Sequence, residues 1–423
     1  MYHDTINTIT DIYKINLNVK KNEKVIVFTD DVNKELKDIA RLIAKEGRAH
    51  TKKIKYSEYR ATGNHGAEPP EPLWTKAFGK NAVKELKDRG LLKPLLNKKA
   101  SKNQLKDIKE IIRRFREEAV NVVIALSHYS TTHTQFRQLL TKICRARYAS
   151  MPLFEKEMFK GAMRVNWKEM ADRTEKTAEM ITKAEKIEIK TPNGTHLSFS
   201  KKGRKAKADT GILTKKGTCS NLPAGEAFLA PLEGTANGRL VLEWAPTHKL
   251  KSPITLRVKD GMVVEVIGNE EYSEFLKRKF SERPENANIA ELGIGTNDKA
   301  SRPDNILESE KILGTIHIAL GDNSSFGGKV STPFHQDFVF FKPTVILIYK
   351  DGKREVLIKR GNLKMKKIKT RGFDYYLSDE TIKRYQEKSP ELRLQWLYMG
   401  NLLRKGYDKR IVKVQEKFRE GKM

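Results

Sequence analysis

The stretch NVVIALSHYSTTHTQFRQLL (residues 121–140) carries the strongest fold signal in the sequence. Its first part is a continuous apolar run, which is typical of a strand buried on both faces of a sheet. A Ser/Thr-rich loop and a helical pattern follow it. EKVIVFTDD (23–31) is a second short β-branched run, and it too precedes an amphipathic helical pattern, which ends near Gly47. This alternation predicts an N-terminal α/β domain with a parallel sheet.

The loop after the 121–127 run contains His128 and His133, and Arg137 follows on the predicted helix. Open α/β sheets bind their ligands beyond the carboxyl ends of the strands. We therefore expect His128, His133 and Arg137 to contact a substrate. The alternative is that the Ser and Thr residues of this loop only cap a helix.

The pattern changes near residue 185. EKIEIKTPNGTHLSFSKKG reads as two strands joined by an Asn-Gly turn, and more short strands follow. One helix is predicted at 270–283. The sequence thus predicts an α/β N-terminal domain (1–180), a β-rich α+β C-terminal metal-binding domain (181–358) and a helical basic C-terminal extension (359–423).

The composition limits the classes of protein to be considered. Hydrophobic residues make up 38% of the 423, and Lys+Arg (83) exceed Asp+Glu (53), a net charge of +30. The charge indicates either a polyanion partner or a Lys-rich solvated surface. No apolar run is long enough to span a membrane, no secretory signal is visible, and the two cysteines form no metal motif. A cytoplasmic location without membrane contact is expected.

The C-terminal extension begins with the basic run KMKKIK (364–369). Apolar residues at helical spacing follow, which predicts core or subunit packing; the alternative is a patch that binds nucleic acid or a membrane. The residues of this stripe are Leu392, Trp396, Met399, Leu402 and Leu403.

Metal-capable side chains concentrate in the second domain. In GTIHIALG (314–321), strand alternation places Ile316, Ile318 and Leu320 on one side and His317 on the other. In FHQDFVFF (334–341), His335 and Asp337 are two residues apart and share a face. They could present an imidazole and a carboxylate to one cation, or form a hydrogen bond with each other.

Glu226 in NLPAGEAF and Glu291 in ELGIGTN lie beside glycines and apolar runs, where a buried carboxylate needs a partner or a metal. Each could instead cap a backbone turn. Together with His317, His335 and Asp337 they suit Zn²⁺, Mn²⁺ or Co²⁺. Five ligands are more than one catalytic zinc takes from a protein, so two divalent metal ions are expected.

In this order, NLPAGE, ELGIGTN, GTIHIALG and the H-x-D pair resemble the aminopeptidase T family of metallo-aminopeptidases, over about residues 1–350 and including EPPEPLW (68–74). The resemblance implies a homodimer with an enclosed cavity and a hydrolase that releases N-terminal residues from peptides. It places the metal ligands at Glu226, Glu291, His317, His335 and Asp337. Glu291 would bridge the ions or handle the proton of the attacking water.

The sequence departs from that family at GDNSSFGG (321–328), where Asn323 and Ser324 stand and the tyrosine that the peptidases carry is missing. A related branch, the dihydroxypyridine dioxygenases, uses one non-haem iron and keeps the H-x-D pair. A ring-cleaving dioxygenase with one iron is therefore one alternative to the peptidase. A polyanion-binding protein that uses the basic extension is another.

Overall fold

The structure is a computed structural model that describes residues 2–246 and 248–364, together with 384, 386–392, 394, 395, 398 and 399. The chain divides into two compact units, residues 1–365 and 366–423. Most of the second unit lies outside the described residues, as do Trp396, Leu402, Leu403 and most of the 364–369 basic run. The division at 180 and 358 and the role of the C-terminal extension therefore stay predictions.

Eighteen strands occur in the described part of the chain. In chain order they are β1 (Val25–Asp30), β2 (Ile54–Tyr59), β3 (Val122–Ala125), β4 (Arg147–Ser150), β5 (Lys186–Lys190), β6 (His196–Ser200), β7 (Lys207–Asp209), β8 (Cys219–Asn221), β9 (Glu226–Leu229), β10 (Asn237–Ala245), β11 (His248–Lys259), β12 (Met262–Ile267), β13 (Ile289–Gly295), β14 (Ile316–Gly321), β15 (His335–Phe340), β16 (Thr344–Ile348), β17 (Arg354–Lys359) and β18 (Asn362–Leu363).

The α-helices of the first unit are mostly in its N-terminal half. They are α1 (Tyr2–Asp11), α2 (Lys34–Glu46), α3 (Glu71–Phe78), α4 (Lys80–Asp88), α5 (Leu92–Leu96), α6 (Lys102–Arg114), α7 (Gln135–Lys142), α8 (Trp167–Lys183), α9 (Glu271–Glu282) and α10 (Ile306–Ser309). Short π- or 3-10-helical turns lie at Ile12–Asn16, Gly47–Ala49, Lys156–Phe159, Ala162–Arg164 and Pro284–Ala287. No helix of the described residues is long and apolar enough to cross a membrane.

Sheet A is the parallel sheet that the 121–140 stretch predicts. Its strand order is β2-β1-β3-β4-β8, and every pairing in it is parallel. β1 and β3 are buried on both faces, because helices cover both sides of the sheet. β8 joins the edge of sheet A although it lies beyond residue 180 in the chain, so the second half of the sequence completes the first sheet.

Two antiparallel sheets form the β-rich part of the chain. Sheet B has the order β12-β11-β10-β6-β5-β16-β17-β18, and sheet C has the order β15-β14-β13-β9-β7. Apolar side chains of both sheets share one core, which includes Ile187 and Ile189 of sheet B and Leu292 and Ile294 of sheet C. An α/β domain with a parallel sheet, accompanied by antiparallel sheets, is thus confirmed at this level of description.

Several local predictions are confirmed by the structure. The Asn193-Gly194 turn joins β5 to β6, and Gly194 has the positive φ (99°) that such a turn requires. The helix expected at 270–283 is α9. The Ser/Thr-rich loop also does what the simpler alternative proposed, because Thr134 caps α7 by accepting a hydrogen bond from the Arg137 amide.

Candidate metal centre

One face of sheet C carries almost every polar side chain of the candidate site. Successive residues of a strand point to opposite faces, so Ile316, Ile318 and Leu320 pack into the core while His317 points away from it. The registers of the five strands align the outward residues in rows. The outward residues are Lys207, Asp209, Glu226, Phe228, Glu291, Gly293, Gly295, His317, Ala319, His335 and Asp337.

Glu291, His335 and Asp337 form a compact group on this face. Each offers one ligand atom, and the three atoms lie within 4.8 Å of one another. His335 Nε2 is 3.5 Å from Glu291 Oε2 and 3.6 Å from Asp337 Oδ1. These atoms are too far apart for strong hydrogen bonds and close enough to bind one cation between them.

The ring of His335 is oriented by a backbone contact. Its Nδ1 lies 2.7 Å from the carbonyl oxygen of Asp322, which accepts a hydrogen bond from an Nδ1–H tautomer. That tautomer leaves the Nε2 lone pair free for a metal, as metal-bound histidines commonly require. The residues that replace the expected tyrosine support this turn: Asn323 is buried, and its amide donates to Glu233 Oε1 at 3.0 Å.

His317 stands beside the group. Its Nε2 is 3.4 Å from Glu226 Oε2 and 3.7 Å from Glu291 Oε1. Its ring lies over Gly293, where a Cβ would come within 1.9 Å of His317 Cε1, so the glycine makes room for the imidazole. The buried atoms Glu226 Oε2 and His317 Nδ1 have no hydrogen-bond partner among the described residues, which is unfavourable unless another group binds there.

Lys311, in the turn before β14, occupies the other side of Glu226. Its side chain is fully buried, and its Nζ is 2.7 Å from Glu226 Oε1 and 3.0 Å from Glu310 Oε2. Asp209 lies nearby, and its carboxylate accepts a hydrogen bond from the Ser220 hydroxyl. A permanent positive charge therefore lies where a second cation would need Glu226 as a ligand.

The buried charges of the site strongly shift the pKa values of its own side chains. Burial acts to lower the pKa of His317, but the neighbouring carboxylates of Glu291, Glu226 and Glu310 outweigh it and raise that pKa to about 9. Burial likewise acts to lower the pKa of His335, but the negative charges of Asp337 and Glu291 outweigh it and raise that pKa to about 10. Burial raises the pKa of Glu291.

Burial and neighbouring charges also have opposite effects on the pKa values of the remaining carboxyl groups. Burial raises the pKa of Asp209 to about 6 and that of Glu310 to about 8, although Lys311 opposes both shifts. Burial also acts to raise the pKa of Asp337, but the positive charge of the nearby His335 outweighs it and holds that pKa well below its usual range. Without a metal, protons on the two imidazoles balance the carboxylates, which is the role a divalent cation would take over.

A cavity of about 470 Å³ separates sheet C from the α/β part of the same compact unit. His133 and Arg137 line it opposite the metal-capable group, and the His133 and His335 ring centroids are 6.0 Å apart. Burial, with the charges of His335 and Arg137, lowers the pKa of His133 to about 4. His128 packs edge-on against Tyr129 at 4.9 Å and does not line the cavity. A substrate contact by any of the three stays a prediction.

Sequence reasoning missed Lys311, Glu310, Asp209 and Lys207. ILESEKILG (306–314) contains no motif that distinguishes the buried Lys311 from the many exposed lysines of this chain. Alternation in KAD (207–209) could have indicated that Lys207 and Asp209 share a face, although a strand of three residues gives a weak signal. Only the strand register places Asp209 opposite Glu226 and Lys207 opposite Phe228.

A sequence profile of the 2,5-dihydroxypyridine 5,6-dioxygenase (NicX) family matches residues 96–364, which is more than half of the chain. The protein therefore belongs to this family. No protein with a curated description matches the sequence.

Two solved structures share the fold. The 2,5-dihydroxypyridine dioxygenase from Pseudomonas putida superposes with a TM-score of 0.62 at 17% identity, covering 86% of this chain and 97% of that one. Wild-type AmpT from Thermus thermophilus has a TM-score of 0.51 at 16% identity, covering 86% of this chain and 100% of that one. At these identities the likeness establishes the fold alone.

These findings correct the prediction of a metallo-aminopeptidase. The relation to the AmpT fold holds, but the family match is to a ring-cleaving dioxygenase, so the hydrolase, protease and peptide-substrate expectations are wrong. The metal-binding expectation stands at the level of a candidate site.

We expect Gly293→Ala to displace His317. The new Cβ would lie 1.9 Å from Cε1 and 2.1 Å from Nε2 of an imidazole that is 1% exposed and cannot swing into solvent. Such overpacking costs about 1–3 kcal/mol, and a misplaced ligand weakens metal binding about 10- to 100-fold. Thermal unfolding and chelator competition measure the two effects. Unchanged metal affinity in a folded variant would remove His317 from the ligand set.

Metal binding should release protons and strengthen with pH. The pKa values of His317 (about 9) and His335 (about 10) are above their ordinary value, so both rings are protonated at neutral pH and must lose a proton to bind a metal. Between pH 6 and pH 8, affinity should rise about 10-fold per pH unit for each proton displaced. Calorimetry in buffers of different ionisation enthalpy counts the protons, and a pH-independent affinity would contradict this assignment.

Proposed function

We propose that the protein is a ring-cleaving dioxygenase that uses one metal ion, Fe(II), to open an aromatic ring carrying two hydroxyl groups. The family match supports the reaction class. The observation that carries the metal count is the buried ion pair between Lys311 and Glu226, with 2.7 Å between Nζ and Oε1. It neutralises the carboxylate on which a second ion would depend.

The remaining ligands suit this metal. Glu291, His335 and Asp337 bring one imidazole and two carboxylates together, and His317 adds a second imidazole from the neighbouring strand. Histidine and carboxylate ligands that leave open positions are typical of non-haem Fe(II) oxygenases. When bound, the metal would supply the redox chemistry with O₂ that none of these side chains can perform.

The protein itself holds and surrounds the substrate. The ring of Phe326 packs edge-on against the rings of Phe228 and His335, with centroid distances of 5.8 Å and 6.0 Å. An aromatic wall therefore adjoins the metal ligands. His133 faces the same cavity as a neutral imidazole, because its pKa is about 4, and can exchange a hydrogen bond with a ring hydroxyl. The cavity of about 470 Å³ suits a single six-membered ring with substituents.

Two further expectations belong to the proposal. A homodimer remains expected from the resemblance to metallo-aminopeptidases. A cytoplasmic location is supported by the free thiols of Cys144 and Cys219, which form no disulfide.

Iron-loaded protein should consume one O₂ for each 2,5-dihydroxypyridine ring opened, and Asp337→Asn should reduce the rate at least 100-fold, because the amide loses the charge that binds the metal. Oxygen uptake, ring absorbance and iron content per chain measure this. Asp172→Asn is the matched control, since Asp172 is exposed on α8 and its one ion pair among the described residues is with Lys176. Failure of the iron-loaded wild type to open this ring or other dihydroxylated rings would reject the proposal.

Lys311→Met should convert the neighbourhood of Glu226 into a second cation site. Removing one partner of a buried ion pair costs about 3–5 kcal/mol, because Glu226 and Glu310 are left uncompensated. Millimolar Mn²⁺ or Zn²⁺ should restore the melting temperature, and elemental analysis should find about two ions per chain against one in the wild type.

The control for this experiment is Lys201→Met. Lys201 is also buried, but its Nζ donates to the Thr182 carbonyl and forms no ion pair among the described residues. The Lys201 variant should lose stability without recovery by cations. Equal recovery of the two variants, or two ions per chain in the wild type, would reject the role given to Lys311.

A further inference from the structure

Two cations, Arg137 and Lys207, line the cavity that holds the metal-capable group, and neither forms an ion pair with a carboxylate in the described part of the chain. Arg137 enters from α7, and its Nε donates to the Thr132 carbonyl oxygen at 2.6 Å. That bond fixes the guanidinium group while leaving its terminal nitrogens available. Lys207 enters from β7, on the edge of sheet C.

The two cations act on the same region of the cavity. Burial lowers the pKa of Lys207; the charge of Glu291 opposes this shift, and the positive charges of Lys142 and Arg137 add to it. Two like charges that repel each other beside a cavity gain stability when an anion binds between them. The five acidic groups of the cavity are otherwise engaged. Lys311 pairs with Glu226 and Glu310, the Asp209 carboxylate accepts hydrogen bonds from Ser220 and the Asn221 amide, and the metal would take Glu291 and Asp337.

The strand registers place Lys207 at a useful distance from the metal ligands. Lys207 lies directly opposite Phe228, and Phe228 lies opposite Gly293, so β7 is two strands from β13, which carries Glu291. Two strand spacings amount to about 10 Å. An aromatic ring beside Phe228, with one hydroxyl group toward the metal ligands, would direct a substituent meta to that hydroxyl toward Lys207 and Arg137.

We propose that Arg137 and Lys207 form a subsite for a carboxylate on the aromatic ring of the substrate. The inference rests on the proposed function and names its substrate class: a dihydroxylated ring that carries a carboxylate, in place of an uncharged dihydroxypyridine. Guanidinium and ammonium groups bind carboxylates through charge-assisted hydrogen bonds, which are the stronger class of hydrogen bond.

The test measures binding without turnover. Zn²⁺-loaded protein, which cannot perform redox chemistry, is titrated under nitrogen with 2,5-dihydroxybenzoate and with hydroquinone. The two probes share the para-dihydroxy ring and differ by the carboxylate. We expect 2,5-dihydroxybenzoate to bind at least 10-fold more tightly to the wild type. Equal affinity, or no binding of the carboxylated probe, would overturn the subsite.

The variants assign the preference to residues. Arg137→Gln and Lys207→Gln should each weaken 2,5-dihydroxybenzoate binding about 10- to 100-fold and change hydroquinone binding less than 2-fold. The Lys207 side chain is exposed and forms no hydrogen bond among the described residues, so the Lys207 variant should fold. It keeps the test valid if loss of the Arg137–Thr132 hydrogen bond unfolds the Arg137 variant. Equal weakening of both probes would overturn the proposal.

Lys142→Gln is the matched control. Lys142 is an exposed residue at the end of α7 that does not line the cavity, although its charge reaches Lys207. Lys142→Gln should change the affinity of either probe less than 2-fold. An effect as large as that of Lys207→Gln would mean that the overall positive charge of this region, and not a specific subsite, attracts the carboxylate, and would reject the proposal.

The subsite and the proposed function can fail separately. Preferential binding of the carboxylated probe, with no ring opened by iron-loaded protein in air, would reject the dioxygenase and retain the subsite. Ring opening of uncharged 2,5-dihydroxypyridine, with no carboxylate preference in binding, would retain the dioxygenase and reject the subsite.

Discussion

The charge balance on the outward face of sheet C is the constraint on which the site depends. Charges taken out of water must be paired, because an isolated buried charge costs far more than a folded domain can offset. Here the ammonium group of Lys311 balances the carboxylates of Glu226 and Glu310. The protonated imidazoles of His317 and His335 balance the carboxylates of Glu291 and Asp337. The outward face of sheet C therefore has two parts. In one, the charge of Lys311 neutralises Glu226; in the other, Glu291, His335 and Asp337 can bind a cation.

This division bears on how many metal ions the outward face of sheet C can hold. The fold is shared with a dihydroxypyridine dioxygenase and with AmpT. A carboxylate that is free on such a sheet can help to hold two ions, whereas a carboxylate bound to a buried ammonium group cannot. The choice of metal count can thus depend on one residue that lies outside the ligand set.

The fold was largely predictable because its signals are local. Strand alternation in 314–321 placed His317 opposite the core residues, and the H-x-D spacing placed His335 and Asp337 on one face, as observed. The continuous apolar run at 121–127 identified β3 as a strand covered on both faces, and the β-branched run at 23–31 identified β1 as a strand. β8 was not predictable as part of sheet A, because pairing at a distant edge leaves no trace in three polar residues.

The sequence by itself determined which residue types could bind a metal, which of them share a strand face, and where the α/β pattern changes to a β-rich one. These properties follow from the side-chain period of strands and helices. Only the tertiary structure decided that Lys311 neutralises Glu226 and that Arg137 and Lys207 line one cavity. The electrostatic balance of a site sums contacts between residues far apart in the chain, and no local pattern encodes that sum.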